Sequence, residues 1–151
     1  MSQQIDIFAA ELKQQLSLYE QLLRLCDLQR EYIASERVDD LLGLLSRREV
    51  ILHEASAIEA RILPLKQRWK EVAARLDATR RDEVEDVLRK IRETLGKITS
   101  SDADDAMVLQ QRKLDVRKQI RGTGQQQQVV HGYAKSAYAQ EQARTKLNVT
   151  R

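Results

Sequence analysis

Few residues in this chain could carry chemistry. Its two histidines, His53 and His131, lie far apart, and Cys26 is its single cysteine. His53 stands four residues after Glu49, a spacing that lets an imidazole meet a carboxylate on one helix face. That pair alone is a surface contact; zinc and di-iron sites need several converging ligands, and no Glu-x-x-His pattern occurs. One cysteine permits no internal disulfide and no Cys-x-x-Cys site. Cys26 falls on an apolar stripe, so it is expected to be a small core residue. No glycine-rich phosphate loop, nucleophile elbow or Ser/His/Asp set can be placed. The remaining carboxylates are interleaved with Lys and Arg, as on solvated helix faces. The expectation is a protein that is not an enzyme, has no cofactor or metal, and binds through its surfaces.

The composition points the same way. Nearly a third of the 151 residues are charged, with one Pro, five Gly, one Phe and one Trp. Such a mix favours long amphipathic helices over a globule with a thick core and a ligand pocket. The net charge is +3, and all of the excess lies beyond Gly122, where Lys135, Arg144, Lys146 and Arg151 face only Glu141. A neutral body offers no electrostatic footprint for duplex DNA. The first residues, MSQQIDIFAAELKQQ, do not read as a secretory signal. No apolar run approaches the roughly 20 residues that span a bilayer. The expected location is therefore cytoplasmic, with no membrane insertion.

Apolar spacing predicts three helices. The first runs over 4–34, with Ile5, Phe8, Leu12, Leu16, Tyr19, Leu23, Cys26 and Ile33 inward. The short break ASERVDD comes next, with Asp39 as the expected N-cap and Val38 as a staple. A connection this short makes the next helix antiparallel. That second helix shows Leu41, Leu45, Leu52, Ala55, Ile58, Ile62, Leu65, Trp69, Val72 and Leu76. Arg48 fills one inward slot, where its stem could pack while its head reaches water. Pro64 is expected to kink this helix without breaking it, because the stripe keeps its phase from Ile62 to Leu65 to Trp69. Asp77 or Thr79 can cap the third helix.

That third helix carries a seam of Val84, Leu88, Ile91, Leu95 and Ile98. The next residues, TSSDADDAM, look like a loop, yet Leu109, Val116 and Ile120 return in phase beyond them. One helix of about 40 residues fits, with Asp102 and Asp105 on the seam, where polar residues lower stability and set register. The alternative is a local opening at Ser100–Asp102. Gly122 then ends the run, and GTGQQQQ reads as a hinge and spacer. After it, VVHGYAKSAY is a weak amphipathic segment with Gly132 inside it, of the kind that folds on a partner.

The fold class expected is all-α: an elongated antiparallel three-helix bundle over 1–121 with a flexible tail over 122–151. In the sequences YEQLLRLCDLQREYIASERVDDLLGLLSRREVIL and LGKITSSDADDAMVLQQRKLDVRKQI, and in the Gly- and Tyr-bearing tail, the chain resembles the FlgN-type flagellar type III export chaperones. That group is close in form to the FliT-type chaperones. The resemblance implies binding to hook-associated (hook–filament junction) proteins in the cytosol and their delivery to the export gate. It implies a client-binding surface on Met107, Leu109, Leu114, Val116 and Ile120 of the third helix, taken as an exposed stripe. Val129, Val130, Tyr133, Ala137 and Tyr138 of the tail would complete it. A structural coiled-coil adaptor, or a homodimer formed through a spare stripe, is the competing expectation.

Overall fold

Starting at Ile5, strict steps of three and four meet Phe8, Leu12, Gln15, Tyr19, Leu22, Cys26, Gln29 and Ile33, and every one of them is buried. In the computed structural model, which describes residues 2–121, this heptad seam belongs to α1 (Ser2–Ala34). The expected seam positions Leu16 and Leu23 are only half-buried at its edge. Two glutamines take the central places. A 3.5-residue repeat is the signature of helices that wrap as a coiled coil, and here it overrides side-chain polarity.

The chain reverses after Ala34 without glycine. Glu36 adopts a left-handed φ of 58°. Its N–H bonds the Ile33 carbonyl at 3.2 Å and the Arg37 N–H bonds the Tyr32 carbonyl at 2.9 Å. These two bonds form a Schellman stop. The guanidinium of Arg37 then stacks over Tyr32, 4.9 Å from the ring centroid. Helix α2 (Val38–Gln67) begins at once, and Arg37, which makes no side-chain cap, takes the N-cap position in place of Asp39. Asp39 and Asp40 lie in the first turn, where they suit the helix dipole. A left-handed conformation costs a non-glycine residue about 1–2 kcal/mol, part of which glycine returns as chain entropy. Glu36→Gly is therefore expected to stabilise the bundle by about 0.5–1 kcal/mol in urea unfolding. A loss of stability would mean that the Glu36 side chain contributes more than its backbone costs.

Pro64 stays inside α2, and the interruption comes one turn later, at Arg68. The Arg68 N–H bonds the Leu65 carbonyl, three residues back, at 3.1 Å. This tightens the last turn before the short α3 (Trp69–Ala73). The expected second helix is thus two. Trp69 stacks on Phe8 with ring centroids 5.8 Å apart, closing that end of the bundle. Asp77 caps α4 (Ala78–Ile120), its carboxylate accepting from the Arg80 N–H at 2.8 Å. Arg80 also pairs with Asp6 of α1.

Helix α4 is unbroken through Ser100–Asp105, and Val84, Leu88, Ile91, Leu95, Ile98, Asp102, Asp105, Leu109 and Val116 are its buried residues. The architecture is all-α. α1 runs up, α2 down and α4 up again. α1 packs closely on α2 along one side and on α4 along the other, while the backbones of α2 and α4 stay further apart and meet through side chains. Arg112 reaches the Ala34 carbonyl at 3.4 Å, so it stands level with the end of α1. None of the described helices is long and apolar enough to cross a membrane.

Candidate docking surface

The exposed large apolar side chains of α4 are Met107, Val108 and Leu114. Met107 and Leu114 are one heptad apart and share a face. Met107 is 72% exposed and Leu114 41%, whereas Leu109 is at 1% and Val116 at 8%. Leu109 packs with Ile33, Leu41 and Leu45 under the α1–α2 turn. Ile120 is half-buried. The five residues expected to form one exposed stripe on α4 therefore divide between opposite sides of it. At 100° per residue, positions 107 and 114 nearly coincide, while 109, 116 and 120 lie across the helix. Val108, exposed beside Met107, lies off the seam, so seam spacing does not find it. Val129, Val130, Tyr133, Ala137 and Tyr138 lie outside the described residues.

Comparison with protein-family models, with curated proteins and with solved structures finds no match. Function must therefore be read from this chain's own geometry.

Its most unusual part is a polar layer inside the coiled coil. Arg48 was expected to reach water, yet it is wholly buried, and so is Asp102. The guanidinium donates to both carboxylate oxygens of Asp102, Nη1 to Oδ1 at 2.7 Å and Nη2 to Oδ2 at 2.6 Å. Gln29 of α1 closes the set. Its carbonyl accepts from Arg48 Nη1, and its amide donates to Asp102 at 3.3 Å and to Asp105 at 2.9 Å. Arg30 approaches Asp105 from the surface, at 3.5 Å. Four seam positions on three helices thus bond one another, with Arg48 Nε left buried and without a partner, and this is how the continuous seam accommodates aspartates where a leucine is usual. Burial opposes the Arg48 charge, but the hydrogen bonds and charge of Asp102 outweigh it and raise the guanidinium's already high pKa. One turn away, Cys26 is pushed up to about 11, by burial first and by the Asp102 charge second. It is a thiol held away from its reactive form.

Burial raises the Asp105 carboxyl above the usual carboxylate range, while Gln29 and Arg30 pull it down and Asp102 adds to the rise. A raised carboxylate is destabilising while charged. The penalty is present at neutral pH and fades as pH falls through the raised folded value towards the unfolded value of about 3.9. Asp105→Asn keeps an acceptor for Gln29 and removes that charge. It is expected to raise the urea midpoint at neutral pH, with the gain shrinking as pH approaches about 4. A gain that does not change with pH would mean that Asp105 is not desolvated.

A second feature is a groove of about 350 Å³ between α2 and α4, floored by Gln15 and Tyr19 and walled by Leu88, Ile91 and Leu95. The charged residues of α2 at its rim are already engaged. Lys66 bonds Glu59 at 2.9 Å, and the amide of Gln15 donates to Glu59 at 2.9 Å. His53 is exposed on α2. Among the described residues no three His, Cys, Asp or Glu side chains are gathered so as to hold a metal.

Proposed function

We propose that this chain is a cytosolic export chaperone of the FlgN type. It holds hook-associated proteins before secretion by covering an apolar terminal helix of the client. The observation that carries this reading is the end of α4. It bears Met107, Val108 and Leu114, exposed on its outer face, and leads directly into residues 122–151. That segment contains Val129, Val130, Tyr133, Ala137 and Tyr138, and Tyr is a common anchor in protein interfaces. An amphipathic client helix laid against this end would cover apolar surface on both partners, the helix-in-groove mode of recognition. Holding a client in this way needs no nucleotide or metal. The division of α4 into two sides narrows the client surface there to Met107, Val108 and Leu114, with Leu109, Val116 and Ile120 across the helix from it.

The test is binding of fluorescent peptides from the terminal helices of hook-associated proteins to the full-length chain. The same peptides are offered to a chain ending at Arg121 and to Met107→Ser/Leu114→Ser. Binding by the full chain, weakened about tenfold or more by either change, is the expected result. If no such peptide binds and the chain associates with itself through α4, it is a coiled-coil adaptor. Full binding by the truncated chain removes the tail from the mechanism.

A further inference from the structure

The polar layer divides the bundle into two unequal parts. On its side towards Trp69, fifteen buried side chains of α1, α2 and α4, from Phe8 to Ile98, form one apolar core. On its side towards the turn, the buried cluster is Ile33, Leu41, Leu45 and Leu109, with Leu44 and Val116 buried outside it. Apolar stabilisation follows buried area, so the second part is held by a small share of it. The layer itself holds little. The attraction of Arg48 for Asp102 is offset by the desolvation of both, and opening returns both to water. What else ties α4 down there comes from the surface: Arg30 to Asp105 at 3.5 Å, to Ser101 at 3.3 Å and to Asp104 at 3.8 Å, and Arg112 to Ala34 at 3.4 Å. Such contacts contribute little. The boundary also falls on residues with weak helix preference. Thr99, Ser100 and Ser101 stand on the boundary, and their hydroxyls compete with the helix for backbone bonds.

We propose that the bundle opens at this layer as a unit. α4 beyond Ser101 leaves the α1–α2 hairpin while the large core stays closed. Opening uncovers Ile33, Leu41 and Leu45, together with an Arg48 that has lost its carboxylate. This face fits an amphipathic helix that brings an acidic residue to Arg48 and an apolar one a heptad further on, the spacing of Asp102 and Leu109. That the helix belongs to an export client rests on the function proposed above; the opening does not.

The test is hydrogen exchange on the full chain without any client. Severed from the hairpin, about twenty residues of helix are only marginally stable in water, so opening reads out as exchange. Amides in 103–116 and 31–45 are expected to exchange at least about tenfold faster than those in 12–22, 52–62 and 88–98. In Gln29→Leu/Arg48→Met/Asp102→Leu/Asp105→Leu, where the layer is apolar throughout, the difference should close. Uniform protection in the wild-type chain overturns the proposal. So does a difference that persists unchanged in the fourfold variant, since the layer would then not be its cause. Peptide binding plays no part in this measurement, so the opening and the chaperone reading can fail separately.

Discussion

Arg48→Met is expected to unfold the end of the bundle that contains the α1–α2 turn. The substitution leaves Asp102 charged, buried and without its bidentate partner, and breaking a buried pair in this way costs about 3–5 kcal/mol. Gln29 loses an interaction at the same time, because its carbonyl accepts from Arg48. The few buried apolar side chains beyond the layer cannot carry that cost. The chain therefore relieves it by letting Asp102 reach water. The loss in stability is then capped at the free energy of opening that end. In urea, a first transition should appear that removes protection from 103–116 and 31–45, with the large core melting later. The fourfold apolar layer should restore a single transition, and with the stability of the wild-type chain or more. Replacing a whole buried network is often neutral or stabilising, whereas removing one member is not. An Arg48→Met chain that unfolds in one step at the wild-type midpoint would show that Asp102 is not desolvated.

That network also marks where sequence reasoning stops. The seam of α4 can be read through Asp102 and Asp105 because the three–four step survives the polar residues, and the continuous helix comes from it. Arg48 can be placed inward for the same reason. The partnership of Arg48 with Asp102 cannot, since it joins positions 54 apart that only the packing of α2 and α4 on α1 brings together. Weighing hydrophobicity above phase selects Leu16 and Leu23 and passes over Gln15 and Gln29. Holding the step from Ile5 strictly puts both glutamines on the seam. Asp39 looks like a cap by residue type, but the turn is closed one step earlier by backbone bonds around Glu36, which no composition signals. On α4, apolar character alone groups Met107 and Leu114 with Leu109 and Val116 as one stripe, although 100° per residue sets the two pairs on opposite sides.

Ile98→Ala should separate the two parts of the bundle from the other direction. Ile98 is wholly buried in the large core, just below the layer, with Leu12, Leu22 and Leu52 also wholly enclosed. Truncating it removes buried methylenes and leaves a cavity, at a cost of about 2–5 kcal/mol. The large core has no smaller unit to sacrifice, so the whole loss should appear in its own transition. Protection at 12–22, 52–62 and 88–98 should fall together. The turn end should lose protection with it, since the α1–α2 hairpin and α4 are held in register only by the core beneath. Leu45→Ala makes a cavity of the same kind in the small cluster and carries a cost in the same range. There the expected response is confined: faster exchange at 31–45 and 103–116, and little change in the urea midpoint of the core. The asymmetry decides between two kinds of bundle. A cooperative three-helix bundle without a boundary would register both substitutions everywhere and to a similar extent. A bundle divided by its polar layer transmits damage from the large core to the small one, but not from the small one to the large.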